Sequence, residues 1–253
     1  MIYGNKFLNY NIPSEAQVIY TEMTYAYELE DIFTEEYVGK ENLNEEFKQC
    51  IKDFDTIINI FIDRIKMVMK VFDKMVDLLL SINKKNLFKV NNDIRNLGRD
   101  GNKEIEKNYN SINKQYAQAR RHFDNIASKF AVKYSSVTMD MKEEYSKKLE
   151  KYSDFLYGVF EKYATDEFIT RVNSNKDNAI NACELNGKDC NYYYDIIGVI
   201  QSWYDFLCNE VSYTLGDIRH IYIKFGSKDN PIFKLLNKDY EEKLTKMKTL
   251  KLV

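Results

Sequence analysis

Proline occurs only at Pro13 and Pro231, so residues 14–230 form one uninterrupted stretch without it. Proline has no amide hydrogen and its ring collides with the preceding helical turn, so long helices exclude it while turn-rich β chains use it freely. Only 9 glycines occur among the 253 residues, which again argues against a sandwich or barrel. Charged residues make up 30% and aromatics 14%, too much apolar material for a disordered chain. The expected class is all-α.

Apolar positions recur at alternating steps of three and four, the mark of a helix stripe or a coiled-coil seam. The first stripe runs from Phe47 through Phe54, Phe61, Val68 and Met75 to Leu80, predicting a helix over about residues 44–82 that Asn83-Lys84-Lys85-Asn86 ends. The second runs from Leu87 through Ile94, Ile105, Tyr116 and Phe123 to Phe130. Gly98 and Gly101 either bend this helix or divide it; a lone glycine costs only about 1 kcal/mol, so the expectation is one continuous element. Tyr134 to Thr138 reads as a turn. The third stripe runs from Met141 through Tyr152 and Tyr163 to Val172, is interrupted by polar residues 173–191, and resumes from Ile196 through Trp203 to Phe225. A last short helix is expected over Phe233 to Leu250.

At 1.5 Å per residue the first two helices would be roughly 55 and 70 Å long. A compact globule of this size is only about 45 Å across. The expected architecture is therefore an elongated antiparallel three-helix coiled-coil bundle. A narrow rod of three helices leaves an apolar flank exposed, which predicts self-association. The organisation follows: an acidic N-terminal segment at 1–40, a helical bundle at 41–225 and a short C-terminal helix at 226–253.

Two segments resemble a known family. Around Gly39 the chain reads GKENLNEEFKQCIKDFDTI, similar in Gly39, Lys40, Glu45, Glu46 and Phe47 to the opening of helix 1 in amphiphysin- and endophilin-type BAR domains. In the second helix NKQYAQARRHFDNIASK resembles, through Tyr116, Ala119, Arg120 and Phe123, the BAR segment in which an aromatic precedes Ala-Arg and an apolar residue. The resemblance covers roughly residues 35–225. It implies a crescent-shaped antiparallel homodimer, cytoplasmic and peripheral to the membrane, that binds anionic phospholipid through a basic face and senses or supports curvature, as in endocytosis and membrane trafficking. Residues 1–60 hold twelve Asp/Glu and four Lys, so Pro13 to Val38 is expected to pack on the bundle or on a partner subunit rather than insert into lipid.

Charge is distributed unevenly. The formal net charge is −2, yet residues 84–151 hold sixteen Lys/Arg against nine Asp/Glu. On a wheel centred at Ile112, Arg99, Lys103, Lys107, Lys114 and Arg121 fall within roughly 40° of the pole opposite the apolar stripe. Glu104, Glu106 and Asp124 turn to the flanks, leaving that row without a carboxylate. Lys129, Lys133, Lys142, Lys147 and Lys148 surround the predicted tip between the second and third helices. These ten cations are the expected lipid contacts. Phe54, Phe61, Tyr116, Phe123 and Trp203 are the expected core or dimer anchors.

Other chemistries lack their signatures. There is no HExxH, P-loop, G-x-S-x-G or ExxH pattern, so no catalytic residue, metal or cofactor is expected. His122 and His220 stand apart from any such motif. Nucleic acid would also attract a row of cations, but no zinc-finger, RNP or helix-turn-helix pattern accompanies it. The clusters around Leu78-Leu79-Leu80 fall far short of a membrane span, and MIYGNKFLNYNI is too broken by polar residues for a signal peptide. Cys183 and Cys190 either pair across a short loop or stay reduced, the latter being the blander expectation. The alternative to the lipid-binding reading is a structural or protein-interaction bundle, a cytoskeletal scaffold or helical surface antigen.

Overall fold

The computed structural model describes residues 40–133, 139–225 and 235–252. Within them the chain is all-α, with seven α-helices and no strand: α1 Lys40–Leu80, α2 Leu87–Lys133, α3 Met139–Tyr163, α4 Asp166–Asn173, α5 Lys176–Leu185, α6 Cys190–Phe225 and α7 Tyr240–Thr249, the last preceded by a π-helical turn at Leu235–Asp239. The N-terminal segment before Lys40, the turn at 134–138 and the segment 226–234 lie outside the described residues.

The first two helices follow the apolar periodicity closely. Ile58, Phe61, Ile65, Val68, Phe72, Met75 and Leu79 on α1 are buried, as are Leu87, Val90, Ile94, Ile105 and Tyr116 on α2. Asparagine side chains stop α1 by replacing its backbone bonds. Asn86 Oδ1 accepts from the Asn83 amide at 2.7 Å, its Nδ2 donates to Ser81 O at 2.8 Å, and Asn83 Oδ1 accepts from Lys85 N at 2.9 Å.

After α3 the structure departs from the three-helix expectation. The stripe over 141–225 is not one rod but two long helices that run in opposite directions, joined by two short ones. Thr165 ends the first path by capping α4, accepting from Phe168 N at 3.2 Å. At the end of α5, Gly187 takes φ +67°, its amide bonds Glu184 O at 2.9 Å and the next amide bonds Cys183 O at 2.9 Å. This paired arrangement closes a helix and re-aims the chain, and it favours glycine at the left-handed position.

Cross-helix contacts set the directions. Asp55 on α1 receives Lys148 and Tyr152 of α3, and Asp73, further along α1, receives Lys162 at 2.6 Å and Tyr163 at 2.8 Å. Hence α3 runs parallel to α1. Beyond it, Asn175 Nδ2 donates to the terminal carbonyls of Leu79 at 3.0 Å and Leu80 at 3.3 Å, tying the α4–α5 turn to the end of α1. Then α6 returns beside α2, so α1, α2, α3 and α6 form an up-down-up-down bundle. Phe72, Tyr163, Phe168 and Tyr204 knit four helices at one level, with Phe168 stacked on Tyr204. The C-terminal α7 straps α6 and α3, where Tyr240 donates to Ser153 O at 2.8 Å. With α3 and α6 on the hairpin of α1 and α2, the described apolar side chains that would flank a three-helix rod are mostly buried within one chain.

Two contacts lock α6 in place. Gly98 and Gly101 do not divide α2, which is continuous; together they make a notch for the Trp203 indole. A Cβ at position 101 would lie 2.7 Å from Trp203 Cη2 and 3.1 Å from Val71 Cγ2. Two turns beyond, Arg64 of α1 donates to Glu210 of α6 at 2.6 Å, with side chains 6% and 0% exposed.

Two outcomes follow. Gly101→Ala is expected to lower stability by about 1–3 kcal/mol through overpacking, whereas Gly158→Ala on the exposed side of α3, where an added Cβ meets nothing within 4 Å, gains up to about 1 kcal/mol; urea unfolding of the two variants checks the contrast. Arg64→Met leaves a buried carboxylate without its guanidinium and is expected to lose about 3–5 kcal/mol, most of it recovered when Glu210→Leu is added. Equal losses in the single and double variants would show that the pair itself stabilises the bundle.

Candidate functional site

The cationic face is built on α2, the longest helix at 47 residues and about 70 Å. Its inner stripe is held by α1 and α6, and no other long described helix packs on the opposite stripe. Arg99, Lys103, Lys107, Lys114 and Arg121 are all exposed along it. Lys103, Lys107 and Lys114 make no ion pair with a described carboxylate. The two arginines are less free: Arg99 donates to Asn96 Oδ1 at 3.0 Å and lies 3.7 Å from Asp100 Oδ1, and Arg121 donates to Ala117 O at 3.2 Å. Asp100 therefore qualifies the expectation of a row without acids, since its carboxylate reaches Arg99 from the flank.

Lys148 is not part of this face. It turns onto Asp55, which also accepts from Tyr152, and holds α3 to α1. Where a lipid contact was expected, the side chain is already engaged by Asp55 of the neighbouring helix. Lys147 is exposed. The side chains of Lys129, Lys133 and Lys142, and those of Phe54 and Phe123, lie outside the described residues. Phe61, Tyr116 and Trp203 are buried within the chain's own bundle, Phe61 meeting Tyr116 edge-on at 5.8 Å.

Lys89 was missed by the sequence reading. It is exposed one turn into α2, and on the same wheel it falls about 40° from the outward pole. Starting the wheel at Leu87 instead of Arg99 would have found it. From Lys89 to Arg121 the row spans about 48 Å.

A groove of about 940 Å³ separates this row from α6. Arg95, Arg99, Lys103 and Glu106 line its α2 wall, and Tyr194, Asp195 and Asp205 its α6 wall. The net charge is positive on the first wall and negative on the second.

Titratable groups with displaced pKa values lie away from α2's outer face, most of them in the core; the exposed Tyr157 is raised by its neighbour Glu161. Burial raises Tyr152 and Tyr163, and the adjacent Asp55 and Asp73 carboxylates push the same way by disfavouring phenolate. Cys208 is pushed up to about 12, chiefly by burial, which keeps its thiol protonated and unreactive. Cys183, Cys190 and Cys208 are free thiols, Cys190 alone exposed. Among the described residues no group of three His, Cys, Asp or Glu is placed to hold a metal. No described helix is long and apolar enough to cross a membrane.

Comparison with known protein families, with curated proteins and with solved structures finds no match to this chain.

Proposed function

We propose that this chain is a non-enzymatic helical bundle that docks peripherally on anionic phospholipid membranes through the outer face of α2. The observation that carries the reading is the row Arg99, Lys103, Lys107, Lys114 and Arg121, exposed along one continuous helix and extended by Lys89. Each such side chain near an anionic bilayer contributes about 1 kcal/mol, so a row of this length binds usefully without inserting a helix. Screening by salt weakens every contact together.

The resemblance to BAR domains adds a finer proposition. Two chains would pair antiparallel into a crescent that senses or supports curvature. Among the described side chains the apolar flank is mostly buried, so pairing rests here on that resemblance.

The groove between α2 and α6 favours a second reading, a protein-interaction bundle. Its basic and acidic walls suit a partner helix carrying both signs of charge on opposite edges. That reading predicts no dependence on lipid.

Vesicle sedimentation separates the two. Reversing Lys103, Lys107, Lys114 and Arg121 to glutamate is expected to weaken partition onto phosphatidylserine vesicles by at least about a hundredfold while helical circular dichroism stays intact. Undiminished sedimentation would remove this face from the proposal. Multi-angle light scattering addresses the crescent: the expected mass is that of two chains, and a single-chain mass across the concentration range would remove it.

A further inference from the structure

At one end of the bundle two turns meet. The α1–α2 turn and the α5–α6 turn are joined where Asn186 Nδ2 donates to Lys84 O at 2.9 Å. They present large apolar side chains to solvent: Phe88 is 47% exposed and Leu185 54%. Phe88 is not loose, because its ring meets Tyr192 edge-on at 6.1 Å and Tyr192 is pinned through its hydroxyl, which accepts from Asn91 Nδ2 at 2.7 Å. Lys188 lies over both rings, its ammonium 5.8 Å from Phe88 and 5.4 Å from Tyr192.

Charge around the rings has one prevailing sign. Residues 84–89 and 184–189 carry Lys84, Lys85, Lys89 and Lys188 against Glu184 and Asp189. Asp189 is engaged internally, accepting from Asn191 Nδ2 at 3.1 Å and from the Tyr192 amide at 3.3 Å. The four lysines are exposed. An exposed aromatic and an exposed leucine ringed by lysines match the chemistry of an anionic membrane interface, where rings settle at the headgroup level and lysines snorkel to phosphate.

Position supports the same occupant. Phe88 adjoins Lys89, the first cation of the α2 row, about 15 Å from Arg99. The patch and the row form one continuous outward surface, so a bilayer lying along α2 reaches both. We propose that the Phe88–Leu185–Lys188 patch is an interfacial anchor that seats Phe88 among the headgroups of an anionic bilayer. It adds an apolar, salt-resistant hold to the electrostatic one, and it rests on the membrane reading given above.

The full-length chain with Phe88→Trp tests this directly. The single native tryptophan, Trp203, is buried, so its emission is a constant background. On vesicles containing about 30% phosphatidylserine, the new indole is expected to shift to the blue and to be quenched by lipids brominated near the headgroup end of the acyl chain. A Phe88→Ser, Leu185→Ser variant is expected to bind about tenfold more weakly and to lose the fraction that survives high salt. If the native chain binds, the α2 charge reversal abolishes binding, and neither Phe88 variant changes anything, the anchor is overturned while the membrane reading stands. If the Phe88 variants matter and the charge reversal does not, the anchor stands without the row. No binding by the native chain overturns both. A blue shift that grows with protein concentration in the absence of vesicles would assign the patch to self-association instead.

Discussion

Arg64 and Glu210 hold opposite charges 2.6 Å apart where almost no water reaches either, and the register of the bundle depends on that contact. Sliding α6 by one turn would carry the carboxylate about 5.4 Å along the axis and leave two charges buried apart. Stripes of isoleucine and leucine tolerate such a slip far better, because one apolar side chain replaces another at little cost. Trp203 adds a second pin two turns earlier on α6. Its indole fits α2 only where glycines stand at 98 and 101, since any Cβ at 101 would occupy the same space. A charge pair and a shape fit thus specify a single alignment of helices whose remaining contacts are permissive.

The same residue type meets two fates in this fold. Lys148 and Lys162 reach aspartates on α1 and act as clamps for α3, each sharing its carboxylate with a tyrosine. Lys103, Lys107 and Lys114 find no such neighbour among the described residues, because no described helix packs against the face they occupy. Charge on this molecule is therefore divided by the bundle itself: partnered where two helices meet, and free for an external anion along α2. Phe88 and Leu185 repeat the division for apolar side chains at the bundle end, where the two turns leave them uncovered.

Much of the framework was legible in the chain. The limits of α1 and α2 follow from apolar spacing and from the asparagines at 83 and 86, because backbone bonds inside a helix are local and a capping side chain acts within a few residues. The outer face of α2 was legible for the same reason, a fixed rotation per residue. The fold-back after α3 was not. Thr165 and the Asn186-Gly187 pair are visible as stop signals, but a stop signal says nothing of the direction in which the next helix will find an apolar face to cover.

What the sequence determined by itself is an all-α chain with long amphipathic helices and a row of cations opposite the apolar stripe of one of them. Only the tertiary structure decided that α6 runs back beside α2 instead of extending α3, that the two glycines make room for an indole, and that Lys148 is a clamp. The physical reason is the range of the interactions. Helix formation is governed by neighbours three and four positions away, whereas the pairing of Arg64 with Glu210, of Gly101 with Trp203 and of Asp55 with Lys148 joins residues roughly a hundred positions apart, and depends on which helix ends up beside which.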